Sequence, residues 1–449
     1  MKHVGTGGSA VKYSEREVLQ FVEENDVKFV KLTFCDIYGN MKNISILSTE
    51  LASAFSDGMY ITSKKVTGFS ELSEGDLMLF PDASTMTVLP WRPQQGRVVR
   101  FFCYIKHRDG RQFEGDGRWF LKTAVEAAKE KGYNFQFGTS CEFYLFKTTE
   151  EGIPTKVPHD FGGYADVAPT DKGENVRREV CLTLEQMDIQ PESSRHDSGP
   201  GQHEIDFKYS SALNAADTFL SFKSTVKVIA ERNGLYATFM PKPLMRNGGN
   251  GLHINVNAFH NGINVFKLDN NGFSNVAKSF AAGIMEHIKE MTVFTNSTAN
   301  SYRRLGEYSA PKYITWAHAD YSQLVRIPLD NRKEGQIILR SPDCACNPYY
   351  VFGLLIYACL EGAENKSVLP EEVSFSLKDA EADKLAGFDT LPCDLGEAIE
   401  YARNSEFLRK YLPEKVFDFV IKERSEAWTE YQNEDNKELY EERKYFYNL

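Results

Sequence analysis

Three segments far apart in the chain alternate apolar residues with acids, imidazoles or amides. They are Cys141-Glu142-Phe143-Tyr144-Leu145, His203-Glu204-Ile205-Asp206-Phe207 and Leu252-His253-Ile254-Asn255-Val256-Asn257. Successive side chains of a strand point to opposite faces. A period of two therefore sets Glu142 against Phe143 and Leu145, puts Glu204 with Asp206, and lines up His253, Asn255 and Asn257. A sheet built from such strands has one apolar face that needs covering and one polar face fit to hold a site. Longer helical patterns between the segments supply the cover, so the fold class is α+β.

The chain has 449 residues, room for two to four domains at about 100–200 residues each. Its 42% hydrophobic content, with 31 Phe and 22 Tyr, is ample for a sizeable core. A formal net charge of −11 argues against a nucleic-acid partner, because such binding rests on phosphate neutralisation by Lys and Arg. Any anionic ligand would need locally gathered cations. The eight cysteines form no CxxC pair and read as reduced thiols. The opening MKHVGTGGSAVKYSE has no apolar signal region, and no stretch of about 18 apolar residues occurs. A cytoplasmic protein without a membrane partner is expected.

Along the chain, residues 1–13 read as a flexible arm, and Ser14 opens a helix to about Glu24. Short β segments over 27–34, 41–47, 76–80, 86–89 and 98–105 form a small N-terminal domain over 14–107. A larger domain, 108–449, follows the polar linker at 107–111. Its expected helices are 116–131, 176–187, 215–233, 274–292 and 348–362, with strands at 135–146, 203–209 and 252–258. Asp116 and Ser274 are the expected caps and Gly132 a stop. Arg340 closes the strand Gln336-Ile-Ile-Leu-Arg. The tail acids and tyrosines, Glu438 to Tyr447, read as a solvated helix or a contact between rings of subunits. Asn247-Gly-Gly-Asn-Gly251 fits neither phosphate-loop pattern and reads as a loop before a strand.

Taken in order, further motifs carry a likeness across nearly the whole chain. They are Phe34-Cys-Asp36-Ile-Tyr-Gly39, Pro81-Asp82, Gly115-Asp116-Gly-Arg118 and Pro191-Glu192-Ser-Ser, then Gly199-Pro-Gly-Gln-His-Glu204 and Ala237-Thr-Phe-Met-Pro-Lys242-Pro. Asn300-Ser-Tyr-Arg-Arg304-Leu and Arg340-Ser-Pro-Asp343 complete the series. The chain resembles the glutamine synthetase family, in its type I-like form. The resemblance implies an N-terminal β-grasp domain and a catalytic domain with a curved antiparallel sheet. It also implies a homo-oligomeric ring, usually a dodecamer, with sites between subunits. The implied reaction joins ammonia to the γ-carboxylate of glutamate through ATP, with two Mg or Mn ions.

By the same resemblance, Glu142, Asp197 and Glu204 stand at the first metal site, Asp197 in place of a longer Glu. His253 stands at the second metal and near the substrate. Glu192, Asn255 and Arg326 fall on the nucleotide side. Gly249, Arg304 and Arg340 fall on the substrate and transferred phosphoryl, and Asp36 on the ammonium site of a neighbouring subunit. The departures cluster. Ser140 and Ile338 occupy two second-metal carboxylate positions, Ser309 the flap Glu, Tyr321 an arginine and Arg195 a histidine. Arg195 offers a cation and Glu307 a carboxylate near these positions. One imidazole does not hold Mg against water. The pattern points to a family member weak or inactive as a ligase. The other reading is an active ligase making glutamine or a γ-glutamyl amide. A third, ATP-independent chemistry on a glutamate-like compound, has no positive support in the residues.

Overall fold

The computed structural model describes residues 13–92, 95–267, 273–328 and 335–449. The expected arm at 1–13 lies outside the described residues, but for Tyr13. Contacts divide the chain into two compact units, Met1–Asp116 with Cys181–Gln190, and Gly117–Val180 with Pro191–Leu449.

In the first unit, Ser14 caps the helix Glu15–Glu24. Its hydroxyl accepts from the Glu17 amide while the Glu17 carboxylate accepts from Ser14, satisfying two of the donors a helix start leaves free. Six strands follow: β1 (Val27–Cys35), β2 (Met41–Leu47), β3 (Met59–Ile61), β4 (Leu77–Pro81), β5 (Thr87–Val88) and β6 (Arg97–His107). They form a mixed sheet in the order β2-β1-β6-β4-β3, with β5 on β6. β1 and β6 run parallel and the other pairs antiparallel. The β1–β2 turn is built by Asp36, whose Oδ1 accepts from the Tyr38 and Asn40 amides, and by Gly39 at φ +87°.

The second unit holds β7 (Tyr133–Thr148), β8 (Pro154–Pro158), β9 (Pro191–His196), β10 (Gln202–Phe207) and β11 (Ser210–Ser211). It continues with β12 (Leu235–Thr238), β13 (Leu252–His260), β14 (Ile263–Asn264), β15 (Trp316–Ala317), β16 (Val325–Arg326) and β17 (Ile337–Leu339). The main path is β15-β16-β17-β13-β7-β10-β9, and only the β15–β16 pair within it is parallel.

The period of two is realised: Phe135, Phe137, Cys141, Phe143 and Leu145 are buried on one face of β7, while Ser140 and Glu142 on the other are only partly so. Helices Gly117–Glu130, Ala212–Arg232, Asn275–Thr295 and Pro348–Asn365 supply the cover. Phe137 stacks on Phe352 at 4.5 Å, Phe135 on Phe280 at 5.4 Å, and Phe143 meets Phe222 edge-on at 5.9 Å. Each buried aromatic of this kind stabilises by about 1.5–3 kcal/mol. Two of these helices cross at Gly283 and Gly362, where a side-chain carbon on Gly283 would lie 2.2 Å from the Ala358 carbonyl. The expected Ser274 cap is present, its hydroxyl accepting from the Ala277 amide.

Two expectations change. Strand β9 was legible only as a motif, because it is a polar edge strand with a register shift beside Glu192. The tail is not a solvated helix. Glu441 is fully buried, accepting from Asn300 Nδ2 (2.7 Å), Arg303 Nε (3.1 Å) and the Tyr431 hydroxyl (2.7 Å), while Tyr440, Tyr445 and Phe446 are buried with it. Buried acids persist where donors surround them. None of the eight cysteines forms a disulfide, and no described helix is long and apolar enough to cross a membrane.

Candidate functional site

Strand register brings the polar residues together in two rows. Glu204 lies opposite Glu142 on one side and Arg195 on the other. One step along, Asp206 lies opposite Ser140 and Ser193, and Ser140 lies opposite His253. Beyond His253 on β13, Asn255 faces both Gly138 and Ile338, and Ile338 faces Arg326.

Glu142, Glu204 and His253 offer ligand atoms all within 4.8 Å of one another. Glu142 Oε2 accepts from the Gly251 amide at 2.7 Å, and its Oε1 lies 4.0 Å from His253 Nε2. Burial, then the charges of Asp197 and Glu204, push the Glu142 carboxyl well above its usual range. Burial and the Asp206 charge push Glu204 up to about 8, against the pull of Arg195. Burial also raises Asp197. The His253 imidazole is driven the other way, by burial and by Arg340, Arg304 and Arg195. Acids that destabilise each other beside a neutral imidazole suit a hard divalent cation, which would relieve the repulsion and supply charge neutralisation at the substrate. Glu142, Glu204 and His253 could hold such an ion, and Asp197 lies close enough to act on both acids.

A buried network behind the sheet fixes Asp197. His196 bonds Asp160 Oδ1 through Nε2 (2.8 Å) and the Asp197 carbonyl through Nδ1 (2.7 Å), while Asp160 Oδ1 also accepts from the Gly201 amide. The turn between β9 and β10 is thereby held so that Asp197 returns toward Glu204. His203 also approaches this group, but Arg177, which only donates, bonds its Nδ1 at 2.8 Å. The ring proton then sits on Nε2, and the set is closed to a metal.

The arginines differ in freedom. Arg304 is buried, with Nη1 on the Ser341 carbonyl (2.8 Å) and Nη2 on the Arg340 carbonyl (3.1 Å). Gly249 makes room for its stem, since a side-chain carbon there would lie 2.9 Å from Arg304 Cγ. Arg340 follows β17 directly and is 6% exposed. Its Nη2 reaches the Ser309 carbonyl at 3.4 Å, and its Nε finds no partner among the described residues. Arg326 bonds the His318 carbonyl at 3.3 Å. The Tyr321 ring lies under both guanidiniums, 4.2 Å from Arg326 and 5.6 Å from Arg340.

Of the residues expected from sequence, Glu142, Asp197, Glu204, His253, Asn255, Arg304, Arg326, Arg340 and Gly249 belong to this unit and to this region of it. Glu192 is exposed on the edge strand at the register shift. Asp36 belongs to the other unit, where it is buried in its own turn, and burial raises its pKa. Sequence reasoning missed Gln202, whose Nε2 donates to the Gly249 carbonyl at 3.1 Å and to Glu142 at 3.4 Å. Its place beside His203 and Glu204 was the available signal. Ser309 and Glu307 are exposed, and the Tyr308 hydroxyl bonds the Arg246 carbonyl with Lys242 4.6 Å over its ring.

A mixed N-terminal sheet and a helix-covered, largely antiparallel sheet carry an acid–imidazole group that could hold a metal ion, and comparison with known proteins gives the family. Residues 26–108 match the β-grasp domain of glutamine synthetase and residues 114–443 its catalytic domain. A glutamine synthetase from Clostridium saccharobutylicum is 41% identical over 426 residues, covering 94% of this chain and 96% of its own. One from Methanosarcina mazei is 40% identical over 424 residues, covering 93% and 95%. Among solved structures, a GmaS–ADP complex superposes with a TM-score of 0.84 at 26% identity, covering 95% of this chain and 98% of its own. Plasmodium falciparum glutamine synthetase, solved by cryo-EM, shares the fold with a TM-score of 0.85 at 23% identity, covering 96% and 99%. The chain belongs to the glutamine synthetase family, with that family's β-grasp and catalytic domains.

Proposed function

We propose that this chain is a glutamine-synthetase-family protein that keeps the pocket for a glutamate-like acid and one divalent cation, Mg or Mn, but is weak or inactive as an ATP-dependent ligase. The observation that carries this reading is the row His253–Ser140–Asp206–Ser193 with its neighbour Ile338. Ser140 and Ile338 supply no carboxylate there, and Asp206 is already paired with Arg195 at 2.6 Å. A second cation facing nucleotide phosphates needs several hard oxygen ligands, and His253 alone does not hold it. The exposed Ser309 cannot act as the base that a flap carboxylate would provide.

Glu142, Asp197 and Glu204 with His253 would bind the retained cation. Gly249 would line the substrate pocket, and Arg304 and Arg340 would grip the substrate carboxylate and the transferred phosphoryl. Arg326, Asn255 and Glu192 would face the nucleotide. Asp36 would serve a neighbouring subunit in a cytoplasmic ring, with the division into a β-grasp domain (14–107) and a catalytic domain (108–449) as expected from sequence. The alternative, an active ligase making glutamine or a γ-glutamyl amide, draws on the intact Glu142, Glu204, Arg304 and Arg340.

The test is phosphate release from ATP with glutamate and ammonia, in Mg and separately in Mn, on assembled protein. Background release alone is expected. Glutamate- and ammonia-dependent release at about 1 per second or faster, an ordinary enzymatic rate, would overturn the reading in favour of the alternative.

A further inference from the structure

We infer that Glu441, in the C-terminal segment, is a positioning residue for the acid pocket. It fixes the short turn that aims Arg304, so affinity for a carboxylate ligand depends on how the segment is seated. The inference deepens the reading that Arg304 and Arg340 grip the substrate, and rests on it.

Arg304 leaves the end of a short 3₁₀ segment, Ala299–Arg303. The segment starts from a capping box: the Thr298 hydroxyl accepts from the Ser301 amide at 3.1 Å, and the Ser301 hydroxyl accepts from the Thr298 amide at 3.3 Å. A 3₁₀ turn has few hydrogen bonds and poor alignment in them, so its surroundings must hold it.

Asn300 supplies the first hold and is fully buried. Its Oδ1 accepts from the Lys242 amide at 2.7 Å, and its Nδ2 donates to the Lys242 carbonyl at 3.1 Å. The same Nδ2 donates to Glu441 Oε2 at 2.7 Å. A carboxylate only accepts when ionised, so it sets which end of the Asn300 amide faces it. The Pro241 carbonyl, one residue before Lys242, accepts from the Asn250 amide at 2.7 Å. Asn250 stands between Gly249 and Gly251, so Asn300 ties the turn to the loop that makes room for the Arg304 stem.

Glu441 Oε1 closes a second circuit. It accepts from Arg303 Nε at 3.1 Å and from the Tyr431 hydroxyl at 2.7 Å, and that hydroxyl accepts from Arg303 Nη2 at 3.0 Å. Burial and the bond to Glu441 push the Tyr431 phenol up to about 12, which keeps it a donor. Arg303 immediately precedes Arg304. One buried carboxylate thus grips the turn near its start and at its end. The segment is itself anchored on β12, where the Phe446 carbonyl accepts from the Tyr236 hydroxyl at 2.6 Å and from Thr238 Oγ1 at 3.1 Å. Glu142, Glu204 and His253 lie on β7, β10 and β13, none of which supplies a hydrogen-bond partner to Glu441 among the described residues. Loss of the carboxylate should therefore disturb Arg304 and leave the candidate cation ligands in place.

The experiment is calorimetric titration of the full, assembled chain with glutamate at saturating manganese, and separately with manganese alone. Glu441→Gln should bind glutamate about tenfold more weakly than wild type, the low end of what losing an outer partner of a ligand-holding residue costs. Its manganese affinity should be unchanged. Glu441→Asp, which keeps the charge, should recover part of the loss. Arg303→Gln should also weaken glutamate binding, and the double variant should cost less than the two singles together, because both break one network. Should Glu441→Gln not fold, hydrogen exchange on wild type gives the reciprocal measurement. Coupling between two sites acts in both directions, so saturating glutamate should slow exchange of the backbone amides of 437–446.

Unchanged glutamate affinity in a folded Glu441→Gln would overturn the inference and leave the proposed function standing. Equal losses of glutamate and manganese affinity, the mark of general loosening, would overturn it too, as would exchange over 437–446 that ignores glutamate. Wild-type protein that takes up no glutamate in manganese would overturn the reading of the pocket itself, and this inference with it.

Discussion

The two rows of side chains on the sheet face contrast in electrostatic state. In one, burial raises both Glu142 and Glu204, and nearby charges raise them further. Asp197 and Glu204 act on Glu142, and Asp206 acts on Glu204 against the pull of Arg195, so the facing pair would be relieved by a cation. In the other, Asp206 takes bonds from Arg195, Ser193 and Ser140 and its carboxyl is pulled down. The same strands, two residues apart along each, carry a place that a cation would relieve and a place where the carboxylate is already paired. A frustrated acid cluster is what a cation-binding site would present, whereas a carboxylate already paired with a guanidinium calls for no further cation.

The contrast can be broken by removing the frustration. Glu142→Gln keeps the acceptor for the Gly251 amide and removes one charge. Manganese affinity should fall by about 100-fold, at the upper end of what altering a metal site costs, with no loss of thermal stability in the metal-free protein. Unchanged affinity would mean that these acids are not the ion's ligands.

It can be sharpened by restoring the missing oxygens. Ser140→Glu with Ile338→Glu should add a second manganese per chain and strengthen manganese-dependent ADP binding by about tenfold or more. A folded double variant without that gain would contradict the account of the loss. The smallest effect belongs to Tyr321, which lies against Arg326 and Arg340 but is largely exposed. Tyr321→Ala should cost about 0.5–1 kcal/mol in urea unfolding, the range of an exposed cation–π contact. A larger loss would show that the ring organises the arginines themselves.

Much of this was legible in the chain. The period of two in the segments around Glu142, Glu204 and His253 gave the sheet and its faces, and capping residues gave the helix starts at Ser14 and Ser274. The ordered motifs also carry the expectation that Ser140, Ile338, Ser309, Tyr321 and Arg195 depart from the family's residues. Pairing across strands was not legible, because register is fixed by tertiary packing. Sequence alone therefore could not set Arg195 against both Glu204 and Asp206, nor Tyr321 beneath two guanidiniums. The tail failed for a related reason. A run of acids and tyrosines reads as solvated until a distant Arg303 and Asn300 are found around Glu441.

The most direct test of the central claim is a count of manganese ions bound per chain. Electron paramagnetic resonance would be read on assembled wild-type protein, stripped of metal and then titrated with saturating glutamate and ADP. One tightly bound ion per chain is the predicted result; two would contradict the claim that the phosphate side has lost its metal.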